Sequence, residues 1–165
     1  MESAQRLAAA LEASAFGTLM RESAWLYPTV NLLHLLGLVL LLGAMLFLDL
    51  RLLGAARRLP LQPLYRWLTG FALAGLLIQL FSVFALFAAD ASPLLANPLL
   101  RLKILLVLLG IGNALLFRAL HSSAIAGGTA VPPFARLQAG LSLGLWLSVM
   151  AAGRLLAYLC RISLP

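Results

Sequence analysis

One stretch decides the fold, residues 25–54, which reads W-L-Y-P-T-V-N-L-L-H-L-L-G-L-V-L-L-L-G-A-M-L-F-L-D-L-R-L-L-G. A hydrocarbon core of about 30 Å requires roughly 20 apolar residues in a helix that rises about 1.5 Å per residue. This stretch is long enough to cross that core, and it carries one histidine, His34, among its apolar residues. It therefore predicts a transmembrane helix with a candidate ligand inside it.

The composition extends this prediction to the whole chain. Of 165 residues, 63% are hydrophobic and 10% are charged, whereas a soluble domain carries about 25% charged residues. Spans are predicted at about 27–48, 68–89, 99–120 and 137–159. The predicted fold is all-α, an integral membrane four-helix bundle over residues 25–165. The net charge of +7 is interpreted as membrane topology and contact with the lipid bilayer, not as nucleic-acid binding.

Residues 1–24 are predicted to form an amphipathic helix at the membrane interface. Leu7, Leu11 and Leu19 alternate with charged residues in this segment, as in helices that lie on a membrane surface. Glu12 interrupts the only apolar run, so no signal peptide is expected. A mobile tail is the alternative that the sequence leaves open.

Four spans place both termini on one side of the membrane, here named side X, and the opposite side is named side Y. Side Y has a cluster of arginines in one short loop, at positions 51, 57, 58 and 66. The positive-inside rule then makes side Y cytoplasmic, with both termini outside. Asp49 and Arg51 are expected to end the first helix in water, with Asp49 paired to Arg51 or to a neighbouring arginine. Pro60 and Pro63 are expected to exclude helix from the loop.

Several candidate site residues are expected at similar depth in the half of the membrane on side X. Polar and ionisable groups within a membrane are costly, so each is a functional candidate. The residues are Asn31, His34, Ser82, Lys103, Met150 and Arg154. His121 is expected at the side-Y end of its helix, so ligation of one haem by both histidines is excluded.

Three functions remain open at this stage. In the first, His34 is the axial ligand of haem b, Met150 a second ligand, and Arg154 and Lys103 partners of the propionates, in a protein linked to electron transport. In the second, His34 and Met150 bind copper. In the third, the chain is an accessory subunit without a ligand. Gly140 and Gly144 then admit a second copy or a partner protein.

Each candidate also has a structural interpretation. His34 can simply hydrogen-bond to a neighbouring helix. Lys103 and Arg154 can extend to the interface, or Arg154 can pair with Asp90. Gln79 and Asn113 are predicted to form hydrogen bonds between helices. The chain has no Walker or GxGxxG motif, and its single cysteine, Cys160, excludes an intrachain disulfide. Whether it is an enzyme stays open.

Several segments resemble a group of small four-helix bacterial inner-membrane proteins of unknown function. They are R-E-S-A-W-L-Y-P-T-V-N-L-L-H-L-L-G (21–37), L-D-L-R-L-L-G (48–54), N-P-L-L-R-L-K (97–103), G-N-A-L-L-F (112–117) and A-A-G-R-L-L-A-Y (151–158). More distantly, a histidine in the first span and a lysine opening a later one are similar to the CopD copper-resistance membrane domain and to HemJ-type proteins of haem biosynthesis. The HemJ-type pattern has a second histidine where this chain has Asn113. The resemblance implies a bacterial inner-membrane protein with His34, Lys103 and Arg154 as functional positions.

Overall fold

The computed structural model describes residues 2–127 and 132–162, with side chains for 3–127 and 132–156. Within these ranges the chain is helical and contains no strand. The helices are α1 (Glu2–Glu12), α2 (Ala15–Glu22), α3 (Leu26–Leu53), α4 (Leu61–Ala89), α5 (Ala91–Ala96), α6 (Pro98–Ala126) and α7 (Pro133–Ile162). The side chain of Cys160 lies outside the described residues.

Four of these helices, α3, α4, α6 and α7, are long and apolar enough to cross a membrane. Their outward surfaces carry large hydrophobic side chains, such as Leu32, Phe81 and Leu108, each more than 60% exposed. A soluble bundle would bury such residues, whereas a bilayer solvates them. The chain is therefore a multi-pass membrane protein, and the predicted all-α four-helix bundle is confirmed.

The helices are longer than predicted at side Y. Helix α3 continues to Leu53, α4 begins at Leu61, and α6 continues to Ala126. Pro63 lies in the first turn of α4, where a backbone N–H has no partner within the helix and its absence costs little. The expectation that Pro63 excludes helix is therefore wrong, because a proline at this position begins a helix instead of breaking one.

The four long helices form the bundle, and their order around its axis is α4, α3, α7, α6. Helix α3 packs along both α4 and α7, and α6 packs along α7, but α4 and α6 barely touch. The contact between α3 and α4 is close because two glycines meet there. A Cβ at Gly75 would lie 2.5 Å from Leu41 N and 2.8 Å from Gly37 O. The bundle is thus tight at α3–α4 and open between α4 and α6.

The N-terminal segment forms two helices, where one was predicted, and both pack on the bundle. Met20 of α2 is fully buried against Val30, Ala85 and Ala89 at the side-X end of α3 and α4. This packing contradicts the mobile-tail alternative. The segment is part of the fold, although both helices keep the amphipathic pattern that the sequence predicted.

Two charged side chains of the N-terminal segment form hydrogen bonds with the ends of α4 and α5. The Glu12 carboxylate accepts hydrogen bonds from the Ser92 N–H at 2.8 Å and the Ser92 hydroxyl at 2.6 Å, in the first turn of α5. The Arg21 guanidinium donates to Ala89 O, the last carbonyl of α4, at 3.1 Å and to Glu12 O at 2.8 Å. The hydrogen bonds from Ser92 lower the pKa of the Glu12 carboxyl. Each charge complements the dipole of the helix end that it contacts.

Gly140 and Gly144 lie on an exposed face of α7. Among the described residues, nothing comes within 4 Å of a Cβ placed at either position. The close contact predicted for this pair therefore does not involve the described helices of the same chain. Contact with a second copy or a partner protein stays a prediction.

Candidate functional site

His34 and Ser82 form a hydrogen-bonded pair between α3 and α4. His34 Nδ1 lies 2.9 Å from Ser82 Oγ, and Ser82 is fully buried. Ser82 Oγ also lies 2.7 Å from Ile78 O, one turn back in α4. A hydroxyl has a single proton to donate. Because the Ile78 carbonyl can only accept, we assign that proton to the Ser82–Ile78 bond, so Ser82 Oγ accepts from His34 Nδ1–H.

This arrangement selects one tautomer of the imidazole. With the proton on Nδ1, His34 Nε2 carries a free lone pair. Gln79 fixes the backbone of the same residue, because its Nε2 donates to His34 O at 2.7 Å. The predicted hydrogen bond of Gln79 between helices is thereby confirmed. Helix α4 thus holds both the ring and the backbone of His34.

Lys103 of α6 adds a cation beside His34. Its side chain is half-buried and packs against α7, where a Cβ placed at Gly153 would lie 3.5 Å from Lys103 Nζ. The ammonium group is close enough to His34 for the two groups to interact electrostatically. All four spans therefore contribute to this region, which we name the His34 cluster: His34, Ser82, Lys103 and Gly153.

The structure does not bring the other candidates into the His34 cluster. Asn31, Met150 and Arg154 are all exposed, Met150 to 45%. No hydrogen bond or ring contact joins any of them to His34 within the described part of the chain. Met150 and Arg154 are one turn apart on α7 and share an outward face, whereas the neighbouring Val149 is buried.

The described residues offer more of the groups that haem needs than of those that copper needs. An axial haem ligand must offer an unprotonated ring nitrogen, which His34 Nε2 does, and Lys103 supplies a cation for a propionate. Met150 points outward, so it does not fit as the second ligand. Copper sites gather several soft ligands. The described residues contain no group of three His, Cys, Asp or Glu side chains placed to hold a metal ion.

A second polar cluster lies in the half of the bundle on side Y. His121 Nε2 lies 2.8 Å from Gln138 Oε1, and the His121 ring meets Phe117 edge-on at 4.9 Å. Asn113 Nδ2 donates to Gln138 O at 3.2 Å, which confirms its predicted role between helices. His121 follows Lys103 by 18 residues on α6, roughly 27 Å at about 1.5 Å per residue. The two histidines therefore belong to separate sites, as depth predicted.

Asp49 belongs to this second cluster, and its predicted role was wrong. It is 3% exposed, and its Oδ2 has no hydrogen-bond partner. Arg51 instead donates to the carbonyls of Leu59, at 2.8 Å, and Arg57, at 3.1 Å. Residues two apart in a helix point to different faces. That spacing was the signal in the sequence that Asp49 and Arg51 do not pair.

Comparison with protein-family models, with curated proteins and with solved structures found no match. Any function proposed for this chain therefore depends on its own residues. Sequence reasoning missed the contact of Gly153 with Lys103, and it missed that Asp49, Gln138 and Ser142 are buried. Gln138 and Ser142 lie four residues apart on α7, a spacing that places both on one helix face.

Proposed function

We propose that this chain is a haem b-binding, redox-linked membrane protein in which His34 Nε2 is the axial ligand. The observation that carries the proposal is the hydrogen-bond chain from His34 Nδ1 through Ser82 to Ile78 O. Histidines that bind metals almost always donate their other ring N–H to a fixed acceptor, which sets the tautomer and the ring orientation. The structural interpretation of His34, a hydrogen bond to a neighbouring helix, fits the same Ser82 contact, so the haem content of the protein decides between the two.

Lys103 supports haem over a metal ion alone. A bare metal cation beside an ammonium group would be repelled, whereas a haem carries carboxylates that an ammonium group attracts. Lys103 would hold a propionate, and His34 would hold the iron. The haem would supply one-electron chemistry. Met150 and Arg154 have no part in this proposal, since both lie on the outward face of α7.

We further propose the bacterial inner membrane as the location, with the His34 cluster in its outer half. The arginines of the loop between α3 and α4 support this orientation, because clustered arginines are retained on the cytoplasmic side. Helices α1, α2 and α5 gather at the opposite end of the bundle with the N-terminus. In this topology both termini are outside.

The test is the haem and copper content of the detergent-purified protein, expressed with both supplied. We expect about one haem per chain in the wild type and in His121→Gln, and none in His34→Ala. His121→Gln is the matched control, because it alters the other histidine. Stoichiometric copper without haem would replace this proposal with the copper function, and neither ligand would leave His34 with a structural role.

A further inference from the structure

A cavity of about 180 Å³ lies between the four spans, in the half of the bundle on side Y. Its lining is mostly apolar and comes from α3, α4, α6 and α7. An engineered apolar cavity of about 150 Å³ is large enough to bind benzene. The cavity in this chain therefore has room for one six-membered ring with small substituents.

Four polar atoms in this cavity have no hydrogen-bond partner. They are Asp49 Oδ2, Gln138 Nε2, Ser142 Oγ and Trp146 Nε1. Their residues are each at most 5% exposed, and all four line the cavity. In the described residues, every buried side-chain polar atom without a partner belongs to this one cavity. Leaving one such group unpaired costs about 1–3 kcal/mol, so four in one place point to a polar ligand.

Neighbouring side chains do not remove this need. Gln138 is held through one end of its carboxamide by His121, at 2.8 Å, which leaves the other end free. Ser142 lies beside Asp49, yet Ser142 Oγ and Asp49 Oδ2 form no hydrogen bond of ordinary length and angle. The cavity thus offers an indole N–H, one end of a carboxamide, a hydroxyl and a carboxyl to whatever occupies it.

Access to the cavity is from the membrane. Leu73 of α4 and Leu115 of α6 line it and are 56% and 62% exposed. They lie on the two spans that barely touch, so the opening faces the lipid between α4 and α6. A ligand that reaches the cavity through this opening must dissolve in the bilayer.

The lining of the cavity favours a neutral ligand. A charged ligand would lose its hydration in a cavity whose lining is mostly apolar. We propose that the cavity binds the ring of a membrane-dissolved quinone or quinol. Trp146 and Gln138 donate to ring carbonyl oxygens of the oxidised form. Asp49 and Ser142 accept from the ring hydroxyls of the reduced form. The proposal concerns binding alone and does not depend on haem at His34.

The test measures the fluorescence of Trp146, which lines the cavity. Trp25 and Trp67, the other two tryptophans, are 82% and 70% exposed and are replaced by phenylalanine. The probe is duroquinone, a tetramethyl benzoquinone that quenches indole fluorescence. We expect saturable quenching that durene, the same ring and methyl groups without oxygen, does not displace. Durohydroquinone, the reduced form of the probe, should displace duroquinone. Quenching that rises linearly without saturation, or displacement by durene as effective as displacement by durohydroquinone, would overturn the proposal.

Variants separate hydrogen bonding from space filling. Gln138→Met should weaken duroquinone binding about 5-fold, the effect of one lost hydrogen bond. Ser142→Ala should weaken by the same factor the binding of durohydroquinone, measured as displacement of duroquinone. Ser148→Ala is the matched control, because its exposed hydroxyl donates back to Gly144 O at 2.8 Å. Equal affinity for durohydroquinone in Ser142→Ala and Ser148→Ala would contradict the site, even if Gln138→Met failed to fold. His34→Ala should leave this binding unchanged, so this proposal and the haem proposal fail separately.

Discussion

Replacing Ser82 by alanine tests the reasoning at a single atom. Ser82 is fully buried, and its hydroxyl accepts from His34 Nδ1 at 2.9 Å. Alanine removes only Oγ, so the helix and its packing stay in place. The ring would then lose the acceptor that fixes its tautomer and orientation.

The expected loss follows from this contact. A buried donor left without a partner costs about 1–3 kcal/mol, and loss of the partner of a metal-binding histidine lowers metal affinity about 10- to 100-fold. The two ranges agree, because tenfold corresponds to about 1.4 kcal/mol. We therefore expect Ser82→Ala to bind haem about 10- to 100-fold more weakly. Its midpoint potential should also rise, because a ring without that acceptor donates less charge to the ferric iron.

The assay is a haem titration of the apoprotein, followed by the Soret absorbance, with a redox titration of the loaded sample. Ser148→Ala is the control, because it deletes a serine hydroxyl that bonds within its own helix. A purely structural role for Ser82 would alter thermal stability and leave the potential unchanged. Ser82→Ala with the affinity and potential of Ser148→Ala would refute the argument.

Other predictions follow from the helix contacts and charges. Gly75→Ala should destabilise the bundle by about 1–3 kcal/mol, because its Cβ would overlap α3, whereas Gly43→Ala, with nothing within 4 Å, should not lower the thermal midpoint in detergent. Glu12 has a lowered pKa, so the stabilisation it provides is complete above its ordinary value and is lost as pH falls through the folded-state value. The protection factor of the Ser92 amide, which corrects for the pH dependence of intrinsic exchange, should therefore fall on acidification in the wild type and change less with pH in Glu12→Gln. Lys103→Gln should retain haem but lower its midpoint potential in a redox titration, and an unchanged potential would remove Lys103 from the site.

The number and order of the spans could be predicted because each is an apolar run long enough for a bilayer. Their ends on side Y could not, since the hydrocarbon thickness gives a minimum length and helices can continue beyond it. Helix α3 continues to Leu53 and ends there because Gly54, in the left-handed conformation with φ +117°, donates its N–H to the carbonyls of Leu50 and Arg51.

The depth of each residue along its helix was predictable from the sequence. The rotation of each helix about its axis also decides which side chains meet, and depth does not give it. Met150 and Arg154 were placed at a suitable depth, yet they lie on the outward face of α7. The inward face follows Ala135, Ala139, Ser142, Trp146 and Val149, spaced three and four residues apart. That spacing was visible in the sequence and would have excluded Met150 as a ligand. It would also have placed Ser142 inside the bundle.

The central claim is that His34 Nε2 binds the haem iron, and rescue of His34→Gly by imidazole tests it most directly. Glycine removes the ligand and leaves space for an added imidazole where the ring lay. If His34 Nε2 binds the iron, the variant lacks the Soret band of the wild type, and imidazole with haem restores a reduced spectrum with α and β bands. A wild-type protein without a haem spectrum, or a variant that keeps the same spectrum without imidazole, would contradict it.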